Sequence, residues 1–271
     1  MAHTLQSGFR RRSPSGAPRR EPIVMSTGIW SAASGAVAQM TALDVAANNV
    51  ANAATPGYRA DRAVFRQQLN AAVDSTMGTR SMRFSLTRTV EPDRRQGSIV
   101  QTGRPLDVAL RSPDSWFAVA TPKGERYTRA GSIQLGSDGT LRTTEGRYYV
   151  DQNRHPIRIP PDATSVSIGS NGAVTVDGIE TGVYLRVVEF PKPAGLIKEG
   201  TLLVRATPQS GKAEAVPADL ETQSVESSNA SALNCMTSLV QATREFEMVT
   251  RVIDAFSNLE QRTAEEVARS K

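Results

Sequence analysis

Apolar residues at both ends of the chain recur with the period of a helix that packs against another helix. They alternate at spacings of four and three from Ile29 to Val50 and again from Cys235 to Phe256. This spacing is typical of a coiled-coil seam, so we predict that the two ends pair. The predicted assembly seam comprises Ile29, Ala33, Ala36, Met40, Leu43, Ala47 and Val50 in the first helix and Cys235, Leu239, Ala242, Phe246, Val249, Ile253 and Phe256 in the second.

The N-terminal helical segment is almost without charge. Between Ser26 and Gly57 the only charged residue is Asp44, and the same depletion runs from Ser227 to Thr243. A surface helix normally carries Lys and Glu on its solvent side, so we expect these helices to be covered all round. The alternative is an antiparallel helix pair that closes one globular domain, and the missing charges count against it.

From about Gly97 the pattern changes to a period of two. Short runs rich in β-formers are separated by turn signals such as Asp138-Gly139, Asn171-Gly172 and Asp177-Gly178, without a helical pattern between them. This arrangement favours antiparallel strands over βαβ units. The predicted fold class is therefore α+β, with long N- and C-terminal helices paired as a coiled coil and a central antiparallel all-β domain.

Composition and turn signals suggest where the parts of the chain begin and end. Pro56 and Gly57 end the first helix, and Arg, Ser, Pro and Gly dominate the first 24 residues. The predicted organisation is a disordered basic extension at 1–24, a terminal helical domain from 25–57 and 226–271, a connector at 58–96, a β domain at 97–207 and a return linker at 208–225. We expect Met25 to be the natural start.

Charge and hydropathy exclude several classes of protein. The formal net charge is +5, and residues 1–24 carry five arginines against one glutamate, or +4 of it. A nucleic-acid-binding hypothesis would therefore rest on that extension alone, and we predict no nucleic-acid partner. The extension has no apolar core of a secretory signal peptide, and no segment approaches the ~18 apolar residues of a membrane span. Cys235 is the only cysteine, so no intramolecular disulfide is possible.

The sequence offers little catalytic chemistry. His3 and His155 are the only histidines, and they stand far apart. The chain has no phosphate-binding loop and no CxxC pair. Asp138 and Asp177 each precede a glycine between strand-like runs, where a turn role is expected. We therefore predict no catalytic residues, no metal site and no cofactor, and hence a protein that is not an enzyme.

Three blocks carry a family resemblance. Residues 43–58 (LDVAANNVANAATPGY), residues 96–110 (QGSIVQTGRPLDVAL, with YTRAGS at 127–132) and Glu226–Asn229 followed by REFEM at 244–248 resemble the bacterial flagellar basal-body rod and hook proteins, in the same order. The motif residues are Asn48, Asn49, Asn52, Pro56, Gly57, Leu106 and Asp107. The chain departs from the family pattern after Asn229, where it continues Ala230-Ser231-Ala232.

The resemblance implies a structural axial subunit of the flagellar basal body. Such subunits are exported through the flagellar type III apparatus without a cleaved signal. They polymerise helically, with terminal helices around the export channel, to transmit torque. The implied partners are other rod subunits and the export apparatus, and the implied location is the rod that spans the periplasm. The motifs most resemble the proximal-rod member, with the distal-rod member second. A non-flagellar coiled-coil appendage subunit would explain the seams but not the three ordered blocks.

Overall fold

The computed structural model describes residues 27–72 and 81–269. Within these ranges the chain forms two α-helices, one short 3₁₀ helix (Pro193–Gly195) and eighteen strands. The helices are α1 (Thr27–Ala51) and α2 (Ala232–Arg269). The strands are β1 (Asp61–Ala72), β2 (Ser81–Pro92), β3 (Ile99–Gln101), β4 (Val108–Leu110), β5 (Trp116–Thr121), β6 (Gly124–Thr128), β7 (Gln134–Leu135), β8 (Leu141–Arg142), β9 (Tyr148–Tyr149), β10 (Val166–Ile168), β11 (Ala173–Val176), β12 (Ile179–Tyr184), β13 (Val187–Glu189), β14 (Ile197–Glu199), β15 (Leu203–Arg205), β16 (Glu214–Val216), β17 (Leu220–Thr222) and β18 (Ser224–Glu226).

Each helix has a local reason to begin or end where it does. After α1 the chain turns through residues 52–57 and becomes extended, as Pro56 and Gly57 predict. At the start of α2, the Oγ of Ser231 accepts a hydrogen bond from the Asn234 amide at 3.5 Å, and the Ser231 carbonyl accepts from the Cys235 amide at 2.9 Å. Ser231 therefore occupies the N-cap position, so the departure from the family pattern still supplies a capping residue.

The predicted coiled coil of two long terminal helices is wrong. The structure combines two helices with many antiparallel strands in several sheets, and α2, with 38 residues, is far longer than α1, with 25. The buried side of α1 is also a different one. Ala38, Ala46 and Asn49 are buried, whereas the seam residue Met40 is 51% exposed.

The physical reason lies in the composition of α1. Gly35 faces α2, because a Cβ built there would lie 3.9 Å from Val249 Cγ1. At 3.6 residues per turn, Gly35 shares a side of α1 with Ala38, Ala46 and Asn49, while the predicted seam extends from the flank of the helix at Val50 to the far side at Met40. Small residues line most of this helix, so the apolar spacing could not show which side packs inward.

The strands form several antiparallel sheets of different sizes. The largest has nine strands in the order β14-β15-β6-β5-β9-β8-β7, with β13 beside β5 and β16 beside β13. A three-stranded sheet has the order β10-β11-β12. Three further pairs are β17 with β4, β18 with β3, and the hairpin of β1 and β2. The β1–β2 hairpin lies in the segment predicted as a connector, and β16 and β17 lie in the predicted return linker.

The strand region is held by two packed clusters. In the larger one, the rings of Phe117 and Tyr149 meet edge to face at 6.0 Å, and the Tyr149 hydroxyl donates to the Ala130 carbonyl at 2.6 Å. In the second, Tyr127 and Phe190 meet at 4.9 Å in the same geometry. Phe117 and Tyr149 are fully buried, so this region has an apolar core of its own.

The predicted turn roles of the two aspartates are confirmed. Asp177 has a φ of 51° between β11 and β12, and its Oδ1 accepts hydrogen bonds from the amides of Thr164 and Ser165 at 3.0 and 2.7 Å. Asp138 Oδ1 accepts from the Thr140 hydroxyl at 2.7 Å. Both carboxylates thus stabilise turns.

Candidate assembly surface and its anchoring junction

The structure distributes the predicted seam unevenly. In α2, Ala242 is buried, and all the other seam positions are partly buried: Cys235, Leu239, Phe246, Val249, Ile253 and Phe256. In α1, Met40 and Ala47 are exposed, and Ala33, Ala36, Leu43 and Val50 are partly buried. The side chain of Ile29 lies outside the described part of the chain. The α2 half of the seam therefore shares one inward side, whereas the α1 half is divided between partly buried and exposed positions.

A second apolar stripe lies on the outer side of α2. Leu233, Met236 and Val240 are 74%, 52% and 53% exposed, and α2 carries no charge before Arg244. On α1, Val37 and Met40 are likewise exposed. Contiguous exposed apolar residues mark interaction sites. The nearest charges are Asp44, one turn after Met40, and Arg244, one turn after Val240. We call these five residues the outer apolar surface. The seam analysis missed the three α2 members, although the absence of charge from Ser227 to Thr243 pointed to this stretch.

The motif asparagines gather where α1 ends. Asn49 is buried, and its Oδ1 accepts hydrogen bonds from the Asp61 amide at 2.8 Å and the Tyr58 hydroxyl at 3.0 Å. Its Nδ2 donates to the Asp61 carbonyl at 2.8 Å. Asn52 Nδ2 donates to the Asn48 carbonyl at 2.9 Å. Asn49 thereby ties the last turn of α1 to the start of β1, and Asn52 secures the end of the helix.

A lysine from the largest sheet joins the same cluster. Lys198 Nζ lies 2.9 Å from Asp61 Oδ2, donates to the Arg59 carbonyl at 3.0 Å, and stands 4.1 Å from the centroid of the Tyr58 ring. Asn48 Nδ2 donates to the same Asp61 oxygen at 3.3 Å. Burial lowers the pKa of Lys198, and the Asp61 carboxylate opposes that shift. This contact joins β14 to the beginning of β1.

Gly57 allows the chain to pass against the β region. Its φ is +74°, and a Cβ at this position would lie 2.4 Å from the Ala130 amide nitrogen. Its own amide donates to the Glu226 carbonyl at 2.7 Å. Only glycine meets both demands, a positive φ and backbone contact. Pro56 and Gly57 therefore place the end of α1 directly on the chain around Arg129 and beside Glu226.

Asn229 closes the junction from the side of α2. Its Oδ1 accepts from the Ala60 amide at 2.7 Å, and its Nδ2 donates to the carbonyls of Asp93 and Arg95 at 3.0 and 2.7 Å. These groups flank the base of the β1–β2 hairpin. The segment that leads into α2 thus holds both hairpin strands where they begin and end.

A pair of arginines and one glutamate lies at the centre of this junction. Glu226 is fully buried, with its Oε2 2.8 Å from Arg129 Nε and its Oε1 3.1 Å from Arg59 Nη2. Burial lowers the pKa of both arginines, and the Glu226 charge opposes that shift in each. Sequence motifs had included Glu226 and Arg129 only as parts of longer blocks. Their local sequence carries no signal that singles them out, because β18 reads Ser-Val-Glu and Arg129 follows the polar strand β6.

Leu106 and Asp107 lie in the β region, apart from the asparagines. Asp107 is fully buried, and its carboxylate accepts two bonds from Arg104 at 2.8 and 2.7 Å and one from Thr102 Oγ1 at 2.7 Å. The Asp107 carboxylate raises the pKa of Arg104. Leu106 packs against the larger core cluster. These two motif residues therefore fix the loop that precedes β4.

Metal and membrane chemistry find no support in the described ranges. Residues 27–72 and 81–269 contain no group of three or more His, Cys, Asp or Glu side chains placed to hold a metal ion. Neither α1 nor α2 has the length and apolarity that a membrane crossing needs. What these residues provide is a buried junction and an outer apolar surface.

Three family models match the segments that build these features. "Flagella basal body rod protein" matches residues 29–59, "Flagellar hook protein FlgE/F/G D1 domain" matches 112–176, and "Flagellar basal body rod FlgEFG protein C-terminal" matches 221–266. The chain is 33% identical to the basal-body rod protein FlgG of Bacillus subtilis over 84% of its length and 94% of that protein. The chain belongs to the flagellar basal-body rod protein family.

Further relatives carry both long-rod names. FlgG of Agrobacterium fabrum is 34% identical over 82% of this chain and 92% of its own, and FlgF of Rhizobium meliloti is 28% identical over 84% and 92%. Family membership confirms the predicted resemblance. It makes the chain a structural subunit of the basal-body rod that assembles with other rod subunits. It also removes the alternative of a non-flagellar appendage.

The first and third family models cover the junction from both sides. The first spans α1, the three asparagines, Pro56, Gly57 and Tyr58, and the third spans Glu226, Asn229 and most of α2. The segments that mark the family are thus the ones that fix the terminal helices to the β region and carry the outer apolar surface.

Proposed function

We propose that this rod subunit polymerises helically through its terminal helices around the export channel and transmits torque along the rod. The observation that carries the proposal is the outer apolar surface formed by Val37, Met40, Leu233, Met236 and Val240. These residues are exposed in the single chain and lie on uncharged stretches of α1 and α2.

Burial of this surface by neighbouring subunits would drive assembly. Fully burying one large apolar side chain contributes about 1.5–3 kcal/mol, so five such residues in each subunit supply a substantial driving force. Helix α1 also carries Ser31, Ser34, Gln39 and Thr41. Such uncharged polar residues can border a wet channel without fixing an ion there. A helix with one charged residue suits a place that has subunits on several sides and a channel on another.

The assembly mode can be tested by cysteine cross-linking in isolated basal bodies. In a Cys235→Ala background, Met40→Cys and Val240→Cys are each expected to form cross-links with neighbouring subunits under mild oxidation. The control is Ile179→Cys, which replaces an apolar residue of β12 that is 73% exposed but lies away from the helices. Cross-linking at Ile179 alone would contradict assembly through the helices.

Within the rod, we propose the proximal position. The segment Arg244-Glu245-Phe246-Glu247-Met248 supports it, because its Phe resembles the proximal-rod member, where the distal-rod member more often has Tyr. The distal rod is a second candidate, favoured by identities of 33% and 34% to two FlgG proteins against 28% to one FlgF.

Deletion of the gene separates the two positions. Loss of a proximal subunit is expected to leave basal bodies without any distal rod, whereas loss of a distal subunit leaves a short rod stub. The rod length in purified basal bodies, measured by electron microscopy, therefore favours one candidate and opposes the other.

We also propose that the chain leaves the cytoplasm through the flagellar type III apparatus without cleavage. Membership of the rod family supports this, because the resemblance implies export by that route. The mass of the subunit from purified basal bodies is expected to match an unprocessed chain that starts at Met1 or Met25. A mass that requires cleavage within the helical segment would contradict it.

A further inference from the structure

Glu226 occupies a special position between the helices and the strands. It is the last residue of β18 and lies a few residues ahead of α2. Its side chain is 1% exposed, its Oε1 also accepts from the Gly97 amide at 3.1 Å, and its backbone carbonyl accepts from the Gly57 amide at 2.7 Å. One residue thus contacts the end of α1, the chain after β2 and the approach to α2.

The two arginines that meet Glu226 come from different parts of the molecule. Arg59 follows α1 and also donates through Nη1 to the carbonyls of Arg94 and Arg95, just after β2. Arg129 follows β6 and donates to the carbonyls of Ser112 and Ser115 at 2.7 and 2.5 Å. Arg59 therefore belongs to the helical side of the junction, and Arg129 belongs to the β region.

We propose that Glu226 is a positioning residue that couples the terminal helices to the β region, by holding Arg59 from one side and Arg129 from the other. The inference rests on the proposed assembly through the helices, because coupling matters where force enters at the helices and must reach the strands. Glu226, Arg59 and Arg129 together form what we call the arginine clamp.

Burial makes the clamp resist partial opening. Arg59 and Arg129 side chains are 7% and 0% exposed, so moving Arg59 away from Glu226 without full unfolding leaves the Arg59 guanidinium without its carboxylate in a place that water hardly reaches. Breaking one partner of a buried pair is strongly destabilising, whereas exposed pairs contribute little. The arginine clamp is therefore expected to open only when the terminal helices or the β region unfold, and not before them.

Close backbone contacts leave little room for the arginine clamp to change its geometry. Gly97 packs so closely on Ser227 that a Cβ there would lie 1.8 Å from the Ser227 carbonyl oxygen. Gly57 is similarly close to the backbone of Ala130, as described above. Two glycine contacts, one on each side of Glu226, thus keep the three charged groups at bonding distance.

A tryptophan provides a reporter beside the clamp. Arg59 and Trp116 line the same small cavity, together with Asp93 and Asp114. Trp30 and Trp116 are the only tryptophans in the sequence. Trp116 begins β5, but it lines this cavity with Arg59, so in a Trp30→Phe background its emission and its quenching by acrylamide report the opening of the junction. Exchange of the β6 amides reports the strand core.

The test compares denaturant unfolding of the purified monomer in that background. Without further change, Trp116 exposure and exchange of the β6 amides are expected to occur in one transition. Arg59→Met and Glu226→Gln are expected to separate them, with Trp116 exposed at a lower urea concentration than the strands. Arg111→Met is the control, because Arg111 pairs with Glu221 in the β region but both side chains are about half exposed, at 52% and 44%.

Arg59→Lys provides the same test if Arg59→Met fails to fold. It retains the charge but loses bonds to the two carbonyls, so a smaller separation of the same kind is expected. A single transition shifted to lower urea in these variants would show that the pair only adds stability and would overturn the proposal. So would an equal separation in Arg111→Met. Because the monomer is measured, this result is independent of whether Met40→Cys and Val240→Cys cross-link in rods.

Discussion

The β region and the terminal helices differ in how far they bury their large apolar residues. Phe117, Val119 and Tyr149 are fully buried in the strands, whereas Leu233, Met248 and Leu259 of α2 are more than half exposed. The strands pair their backbone groups with one another and pack their apolar side chains into a shared core. The helices leave part of their apolar surface exposed. The strands thus bury their own apolar residues, and the proposed assembly would cover those that the helices expose.

The largest effect is expected when a charge enters the outer apolar surface. Met40→Asp should abolish rod assembly and motility. The substitution places an unpaired charge at a position that neighbouring subunits would bury, at a cost of roughly several kcal/mol. Swimming assays and basal-body preparations measure this.

The matched control is Leu135→Asp, which makes the same kind of change at 47% exposure in β7. Monomer folding should survive both substitutions. Normal motility of the Met40→Asp strain would show that α1 is not an interface and would remove the contrast between the two regions.

Hydrogen exchange of the monomer should show the contrast directly. We expect fast exchange in α1 before Ala46 and in α2 after Ala232, because helices that bury few side chains are marginal. The amides of β5 and β6 should exchange slower by orders of magnitude. Equal, strong protection of helices and strands in a verified monomer would favour a self-contained globular fold.

Truncation of the strand core should destabilise the β region alone. Phe117→Ala removes a fully buried ring that contacts Tyr149 and is expected to cost about 3–5 kcal/mol. Leu135→Ala, at an exposed position, should stay within about 0.5 kcal/mol. Urea unfolding followed by circular dichroism measures both, and similar losses would contradict the assignment of the core.

A smaller effect is expected at the junction. Asn49→Ala leaves the Asp61 amide and carbonyl and the Tyr58 hydroxyl without their buried partner, at a cost of about 1–3 kcal/mol. Asn48→Ala is the neighbouring control, since exposed Asn48 makes only weaker contacts to Asp61 and Asn52. Exchange rates of residues 57–61 should rise in the first variant and barely change in the second.

The smallest effect is expected from removal of residues 1–24. This basic stretch contains few large apolar residues, so a chain that starts at Met25 should assemble and support motility as the full chain does. Complementation of a deletion strain measures this, and loss of motility on truncation would assign a function to the extension.

Sequence motifs located the junction but not its bonding. Asn48, Asn49, Pro56 and Gly57 stood out as a block, yet their partners Asp61 and Lys198 did not, because Lys198 lies more than a hundred positions away along the chain. Glu226 could be found as part of a motif, but its two arginines come from separate segments. Contacts between distant residues depend on strand pairing, which short-range patterns do not specify.

The sequence by itself determined the family, the helices at both ends, the antiparallel strands between them and the turns at Asp138 and Asp177. These follow from local periodicity, turn chemistry and ordered motifs. Only the tertiary structure decided which side of α1 packs inward and which residues hold the clamp. Gly35, Ala38 and Ala46 present as little apolar area as the seam alanines, so the local pattern could not distinguish the buried side of α1 from the exposed side. Close approach to Val249 on α2 and the bonds of Asn49 to Tyr58 and Asp61 selected one of them.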